Sequence, residues 1–292
     1  MRAAGVNPVE TYIRAGTYAK LPALPYTPGG EGTGDVEAVG EGVTKFKAGD
    51  RVYLAGAKTG TYAEYCLALD STVFPLPPNT SYEAGASLGV AYATAHRALF
   101  RAVHARAGET CLVHGASGGV GLAAVQLAKA CGCTVIGTAS SEVGRGNVKA
   151  AGADHVIAHA DSVAAFAEQV MALTHGKGAD VVIEMLASAN LQHDLAALAR
   201  GGRVAVVGSR GAVEINPRDL MSREAAIVGV SNAFQVGTEE AIVVHAQLFD
   251  WLSEGTLKPL EAHAFPLHDA AAAHVEVMEH SGGTKGKIVL HI

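Results

Sequence analysis

The chain is short of the features that mark secreted, membrane-spanning or nucleic-acid-binding proteins. Cysteine is sparse, with Cys66, Cys111, Cys131 and Cys133 the only four in 292 residues. Cys131 and Cys133 stand too close together for the usual zinc or thiol–disulfide spacings. A reduced, intracellular protein is expected. No apolar run approaches the ~18 residues of a membrane span, and no apolar leader opens the chain, so the expected location is the cytoplasm with no membrane partner. Charged residues are only 17% of the total, with a net charge of −6. No basic run stands out, which argues against a nucleic-acid partner. The 13 histidines include no pair at the spacing of a zinc-binding helix. No sequence repeat is visible.

What is present is apolar sequence, 49% of the chain, and 35 glycines spread along it rather than repeated. That combination suits a sizeable core, or two cores, cut by many tight turns. From Thr110 the pattern becomes regular. Short apolar runs at 110–114, 134–139, 155–159, 179–185, 202–208 and 225–230 alternate with helical stretches at 120–132, up to about 153, 163–175 and 191–199. Strands apolar throughout, alternating with helices, predict an α/β fold with a doubly wound parallel sheet covered on both faces. The first ~85 residues read as an all-β segment: turn-rich strands over 29–56 and an alternating, half-exposed strand at 61–68 (TYAEYCLA). A helical stretch follows at 81–100. Beyond about Val236 come a helix and two further strands with no place in the parallel sheet, which are expected to return to the β segment. The expected division is 1–88, 89–235 and 236–292.

The loop at 114–121 reads HGASGGVG and falls between a strand and a helix. That layout presents free N–H groups at a helix N-terminus to a pyrophosphate. Counted from Ala116, the pattern is A-x-G-x-x-G, through Gly118 and Gly121; alanine for the first glycine is a mild change where φ is negative. An NAD-binding fold usually places a carboxylate ~20 residues further on, for the ribose hydroxyls. Here Ala139, Ser140 and Ser141 stand at the strand tip, and Arg145 follows, able to pair with a 2′-phosphate. NADPH is the expected cofactor, although Glu142 close by works against that choice.

Three stretches, GVNPVETYIRAGTY (5–18), HGASGGVGLAA (114–124) and VVGSRGAVEINPRD (206–219), together with AGDRV and the tail pattern, give the chain its resemblance. It resembles, over essentially its whole length, the quinone oxidoreductase (zeta-crystallin) branch of the medium-chain dehydrogenases. That likeness implies a Rossmann domain beside a GroES-like β domain completed by the C-terminal segment. Zinc-dependent relatives hold their catalytic metal with an early cysteine and with the histidine of a GHE motif. Asn7 and Gly30 occupy those places here, Glu31 alone cannot make a site, and no metal is expected. Without a Lewis acid the implied chemistry is transfer from NADPH to electron-poor acceptors, quinones or enones.

The resemblance places Asn7, Tyr12 and Tyr18 beside the nicotinamide and the acceptor. Ser117, Gly118, Gly119, Val120 and Gly121 would meet the pyrophosphate, and Ser140, Arg145 and His159 the adenosine phosphate. Val207, Gly208, Ser209 and Arg210, with Gly229, Val230 and Ser231, would approach the nicotinamide. No residue stands out as a general acid. The family also implies a homodimer or homotetramer joined through the nucleotide domains. Enone or enoyl-thioester reduction on the same scaffold remains open, as does a non-catalytic NADPH-binding role. Family members begin with strands ahead of GVNP, and ~30–40 residues, two or three strands of ordinary length, are missing from this chain. Either its recorded start is wrong, or the β domain is truly truncated at its N-terminus and has an unpaired edge.

Overall fold

The computed structural model describes residues 1–158, 162–234, 236–259, 263–279 and 286–292. It divides into two compact units, Met1–Ala93 with Asn232–Ile292, and Thr94–Ser231.

The first unit opens with strand β1 (Ala3–Val6), helix α1 (Pro8–Arg14), strands β2 (Glu31–Asp35), β3 (Arg51–Ala55) and β4 (Val73–Pro75), and the short helix α2 (Tyr82–Gly85). After α3 (Ala93–His96) the chain enters the second unit. There it forms β5 (Thr110–Val113), α4 (Gly119–Ala130), β6 (Thr134–Thr138), α5 (Glu142–Ala150), β7 (His155–Ile157), α6 (Val163–Leu173), β8 (Ala179–Glu184), α7 (Ala187–Ala197), β9 (Leu198–Val206), α8 (Pro217–Met221) and β10 (Ala226–Gly229). It then returns with α9 (Glu239–Ser253), β11 (His263–Pro266), α10 (Ala270–Glu279) and β12 (Ile288–His291).

In the first unit a six-stranded sheet runs β11-β12-β1-β2-β3-β4. The terminal strands therefore join the N-terminal ones, as their lack of a place in the parallel sheet implied. β1 lies inside this sheet, antiparallel to both β12 and β2; the edges are β11 and β4. Close packing explains its small residues: Ala3 and Ala4 are fully buried.

Two expectations for this unit fail. The all-β reading missed α1, although the helix carries its own start signal: Pro8 sits in its first turn, and Glu10 reaches back to accept from the Asn7 N–H at 2.8 Å. The alternating stretch 61–68 is no strand. Its backbone bonds make no continuous ladder: Thr61 and Tyr62 N–H donate to the Gly29 and Pro28 carbonyls, the Leu67 carbonyl accepts from Lys58 N–H, and Tyr65 and Leu67 are exposed. Alternation without a neighbouring strand to pair with leaves a loop.

The helical stretch after residue 81 forms but is not regular. Residues 88–92 and 97–102 wind as π-helical turns, with Tyr92 N–H donating to Ser87 and Val103 N–H to Ala98. At the first turn the Val90 N–H is drawn instead to the Glu31 carboxylate, at 2.6 Å. A side chain inserted into the helical ladder in this way is a recognised cause of such a bulge.

The second unit is the parallel sheet, ordered β10-β9-β8-β5-β6-β7. The order reverses between β5 and β8, so this is the doubly wound Rossmann arrangement, whose ligands bind outside the carboxyl ends of the strands. Leu112, Ile136, Phe166, Val182, Leu195, Leu198 and Val204 form its core. All six strands fall where the apolar runs put them. No described helix is long and apolar enough to cross a membrane.

Candidate functional site

In the second unit the glycine loop is shaped by its backbone. Gly115 takes φ 55°, and its N–H donates to Thr138 Oγ1 at 3.1 Å, while Ala116 N–H donates to the Thr138 carbonyl at 2.9 Å. Ala116 is fully buried and is not among the residues with positive φ, so its methyl is accommodated. Gly121 has no such freedom: an added Cβ would press on Gly115 and lie 2.6 Å from Ala116 Cα. The loop thus passes hard against the first turn of α4. Gly118 is the N-cap of that twelve-residue helix and supplies no side chain to cap it. The first-turn N–H groups, those of Gly119, Val120 and Gly121, have no intrahelical acceptor and face outward with the positive end of the helix dipole.

Other residues expected at the cofactor gather at the same carboxyl end of the sheet. Ser117 lies beside the first turn of α5, since a Cβ on Gly144 would be 3.1 Å from Ser117 Oγ. Ser141 caps α5 by accepting from Gly144 N–H at 3.0 Å. Arg145 Nη1 donates to the Ser140 carbonyl at 2.9 Å, which brings its guanidinium over the tip of β6. Val207 and Gly208 follow β9, their N–H groups donating to the Glu184 carbonyl; Ser209 Oγ donates to the Gly211 carbonyl, and Arg210 N–H to Ser188 Oγ. Gly229 ends β10, Val230 N–H donates to the Val206 carbonyl, and Ser231 comes next. His159 lies outside the described residues.

Beneath this edge is a cluster that sequence reading did not find. His114, Glu184 and Asp194 are all buried, with His114 Nε2 2.9 Å from Asp194 Oδ1. Their donor atoms lie within 4.8 Å of one another, and among the described residues this is the one group of that kind. Burial pushes Asp194 up to about 8, and burial with the nearby Asp194 charge pushes Glu184 up to about 7. Burial lowers His114. Burial thus favours the uncharged form of each of the three groups.

In the first unit Asn7, the N-cap of α1, is buried. Tyr12 lies half-buried within the helix, and Tyr18 follows it in the loop, 37% exposed. The Asn7 amide is engaged at both ends. Nδ2 donates to Glu31 Oε1 at 2.9 Å, and Oδ1 accepts from Lys287 Nζ at 2.6 Å. Lys287 also meets Glu31 Oε1 at 2.5 Å and the Val6 carbonyl at 3.2 Å. Glu10 completes the group through its bond to the Asn7 N–H. Burial, reinforced by Glu31 and opposed by Lys287, pushes Glu10 up to about 7. Neither Glu10 nor Lys287 was singled out from sequence. The first could have been found from its place three residues after a helix N-cap; nothing local marks the second.

Zinc does not fit these residues. Asn7 and Gly30 offer no thiolate or imidazole, and the Lys287 ammonium already neutralises the Glu31 carboxylate.

Comparison with known proteins agrees with this geometry. Residues 1–78 match the alcohol dehydrogenase GroES-like domain and residues 119–244 the zinc-binding dehydrogenase domain. A quinone oxidoreductase of Rattus norvegicus is 49% identical over 290 residues, which cover 99% of this chain and 87% of that protein. A mycobacterial protein solved with NADPH superposes with a TM-score of 0.90 at 34% identity, over all of this chain and 90% of the other. A quinone oxidoreductase of Pseudomonas syringae gives a TM-score of 0.86 at 32% identity, covering 99% and 89%. The chain is an oxidoreductase of the nicotinamide-dependent kind, and it belongs to the quinone oxidoreductase (zeta-crystallin-like) branch of the medium-chain dehydrogenase/reductase superfamily.

Proposed function

We propose that the protein is a zinc-independent reductase that uses NADPH to reduce quinones. The observation that carries this reading is the uncapped N-terminus of α4, with the glycine loop pressed against it. The arrangement fits a pyrophosphate: Gly119, Val120 and Gly121 present N–H groups to it, and the tight approach at Gly121 leaves the surface clear of side chains. Ser140 and Arg145 would meet the adenosine 2′-phosphate, and His159 is placed there by resemblance alone. The backbone segments Val207, Gly208, Ser209 and Arg210, and Gly229, Val230 and Ser231, would border the nicotinamide. Asn7, held rigid by Lys287 and Glu31, and the tyrosines Tyr12 and Tyr18 would line the acceptor's side.

When bound, NADPH would supply the electrons, by electron or hydride transfer. The protein's part is to hold cofactor and acceptor in register and to exclude water. Quinones suit such a site because they accept electrons without a metal to polarise them. The relatives named quinone oxidoreductase and the NADPH-bound neighbour support the assignment. Oxidation of NADPH by the purified chain with an ortho-quinone tests it. Steady turnover is expected; tight NADPH binding with no turnover would contradict it.

A further inference from the structure

Glu184 ends β8, fully buried beneath the cofactor edge, and takes no part in the cofactor or acceptor contacts proposed above. Its Oε1 accepts from the Leu186 N–H, and from Asn190 Nδ2 at 3.2 Å. Leu186 is the N-cap of α7 and has no polar side chain with which to cap that helix. The Glu184 carboxyl supplies the missing acceptor from two residues upstream, and so fixes the turn at 184–187.

Two loops of the cofactor edge rest on this turn. After β9, the Val207 and Gly208 N–H groups donate to the Glu184 carbonyl at 2.8 and 3.3 Å, and the Gly208 carbonyl accepts from Ala187 N–H at 2.9 Å. Arg210 N–H donates to Ser188 Oγ, one residue further along. A Cβ added at Gly208 would press on the Met185 carbonyl. On the other side, His114 N–H donates to the Ile183 carbonyl at 3.0 Å, and a Cβ added at Gly115 would lie 3.4 Å from Met185 Cβ. Gly115 opens the glycine loop with its positive φ. One short turn thus supports both the loop expected at the pyrophosphate and the loop expected at the nicotinamide.

Resting on the functional reading above, we propose that Glu184 is a positioning residue for the cofactor: its carboxyl holds the turn that keeps these two loops in register, and its charge governs how tightly the anionic dinucleotide binds. The titratable groups facing it are His114 after β5, with Nε2 4.0 Å from Glu184 Oε2, and Asp194 on α7. Beyond them, α6 contributes the Phe166 ring against His114, and α7 contributes His193 on the edge of that ring. The residue paired with Glu184 on β9 is the apolar Val206. Burial, and then the Asp194 charge, pushes Glu184 up to about 7, so the carboxyl is neutral below that value and a buried anion above it. A buried anion opposes the pyrophosphate. Binding is therefore tight at low pH and weakens as pH rises through about 7, and Asp194, raised by burial to about 8, adds to the same trend.

The test needs no turnover. NADPH is titrated into the full chain by nicotinamide fluorescence from about pH 6 to about pH 8, and NADH is run in parallel because it lacks a 2′-phosphate that itself titrates. The parent dissociation constant is expected to rise about fivefold across the range for both dinucleotides. Glu184→Gln keeps an acceptor for the Leu186 N–H but cannot ionise, so it should bind within about twofold of the parent at about pH 6 and lose most of the rise. Glu184→Leu loses the acceptor as well, and should weaken binding about tenfold at every pH. Should that variant fail to fold, Asn190→Ala, which removes one of the two donors to the carboxyl, should weaken binding about threefold. A parent constant that does not move with pH, or a Glu184→Gln protein with the parental rise, would overturn control by the carboxyl's charge. Parental affinity in a folded Glu184→Leu, or in its place in Asn190→Ala, would overturn the positioning role. A parent that binds neither dinucleotide would instead sink the functional reading, and this one with it.

Discussion

Arg145 reaches back from α5 to the Ser140 carbonyl, and that posture gives it a testable role. Arg145→Ala should raise the KM for NADPH about tenfold, the equivalent of one charge-assisted pair, and leave that for NADH unchanged. Equal effects on the two cofactors would remove the phosphate-binding role. Gly121 is constrained differently. Gly121→Val would drive a branched side chain into the Gly115 and Ala116 backbone, at a cost of about 1–3 kcal/mol, and weaken NADPH binding at least tenfold; a titration following nicotinamide fluorescence reads both cofactors. These residues were legible because the fingerprint is local: Ala116, Gly118 and Gly121 lie within one loop between a strand and a helix. Glu10 was equally local, yet it was passed over because the surrounding segment read as β.

At the scale of elements, the Lys287–Glu31 pair joins β12 to β2 across a gap of 256 residues. No local pattern in the chain could announce it. Replacing the lysine by an apolar residue would strand a buried carboxylate, so Lys287→Met should cost about 3–5 kcal/mol, measured by urea unfolding; a change below about 1 kcal/mol would show the pair to be dispensable. Beneath the nucleotide edge, β5, β8 and α7 meet through His114, Glu184 and Asp194. The folded state raises both acids, so the stability they add is complete below about pH 4 and is lost as pH climbs through about 7 and about 8. His114 is lowered, and its effect is opposite but confined below its ordinary value. Between about pH 7 and about pH 9, therefore, Tm should fall, and in Asp194→Asn it should fall less. An unchanged slope in the variant would place the titration elsewhere. The misread segment 61–68 belongs to this scale as well: alternation is a property of the sequence, but a strand exists only where a partner offers hydrogen bonds.

For the whole molecule, the parallel sheet was the most legible part, because strands buried on both faces are apolar throughout and need no long-range information. The β unit was harder to read, since its sheet is closed by strands from the opposite end of the chain, and α1 hides in it. The edge strand β10 is exposed at both ends and offers unpaired backbone groups, so the assembly expected from the family, a dimer or tetramer joined through the nucleotide units, should appear by light scattering; a monomer at micromolar concentration would contradict it. The most direct measurement is NADPH oxidation with an ortho-quinone, with NADH in parallel and a chelator added to half of the samples. Faster turnover with NADPH, unchanged by the chelator, is the expected result. Turnover that is lost on chelation, or that is faster with NADH, would contradict a metal-independent, NADPH-dependent reductase.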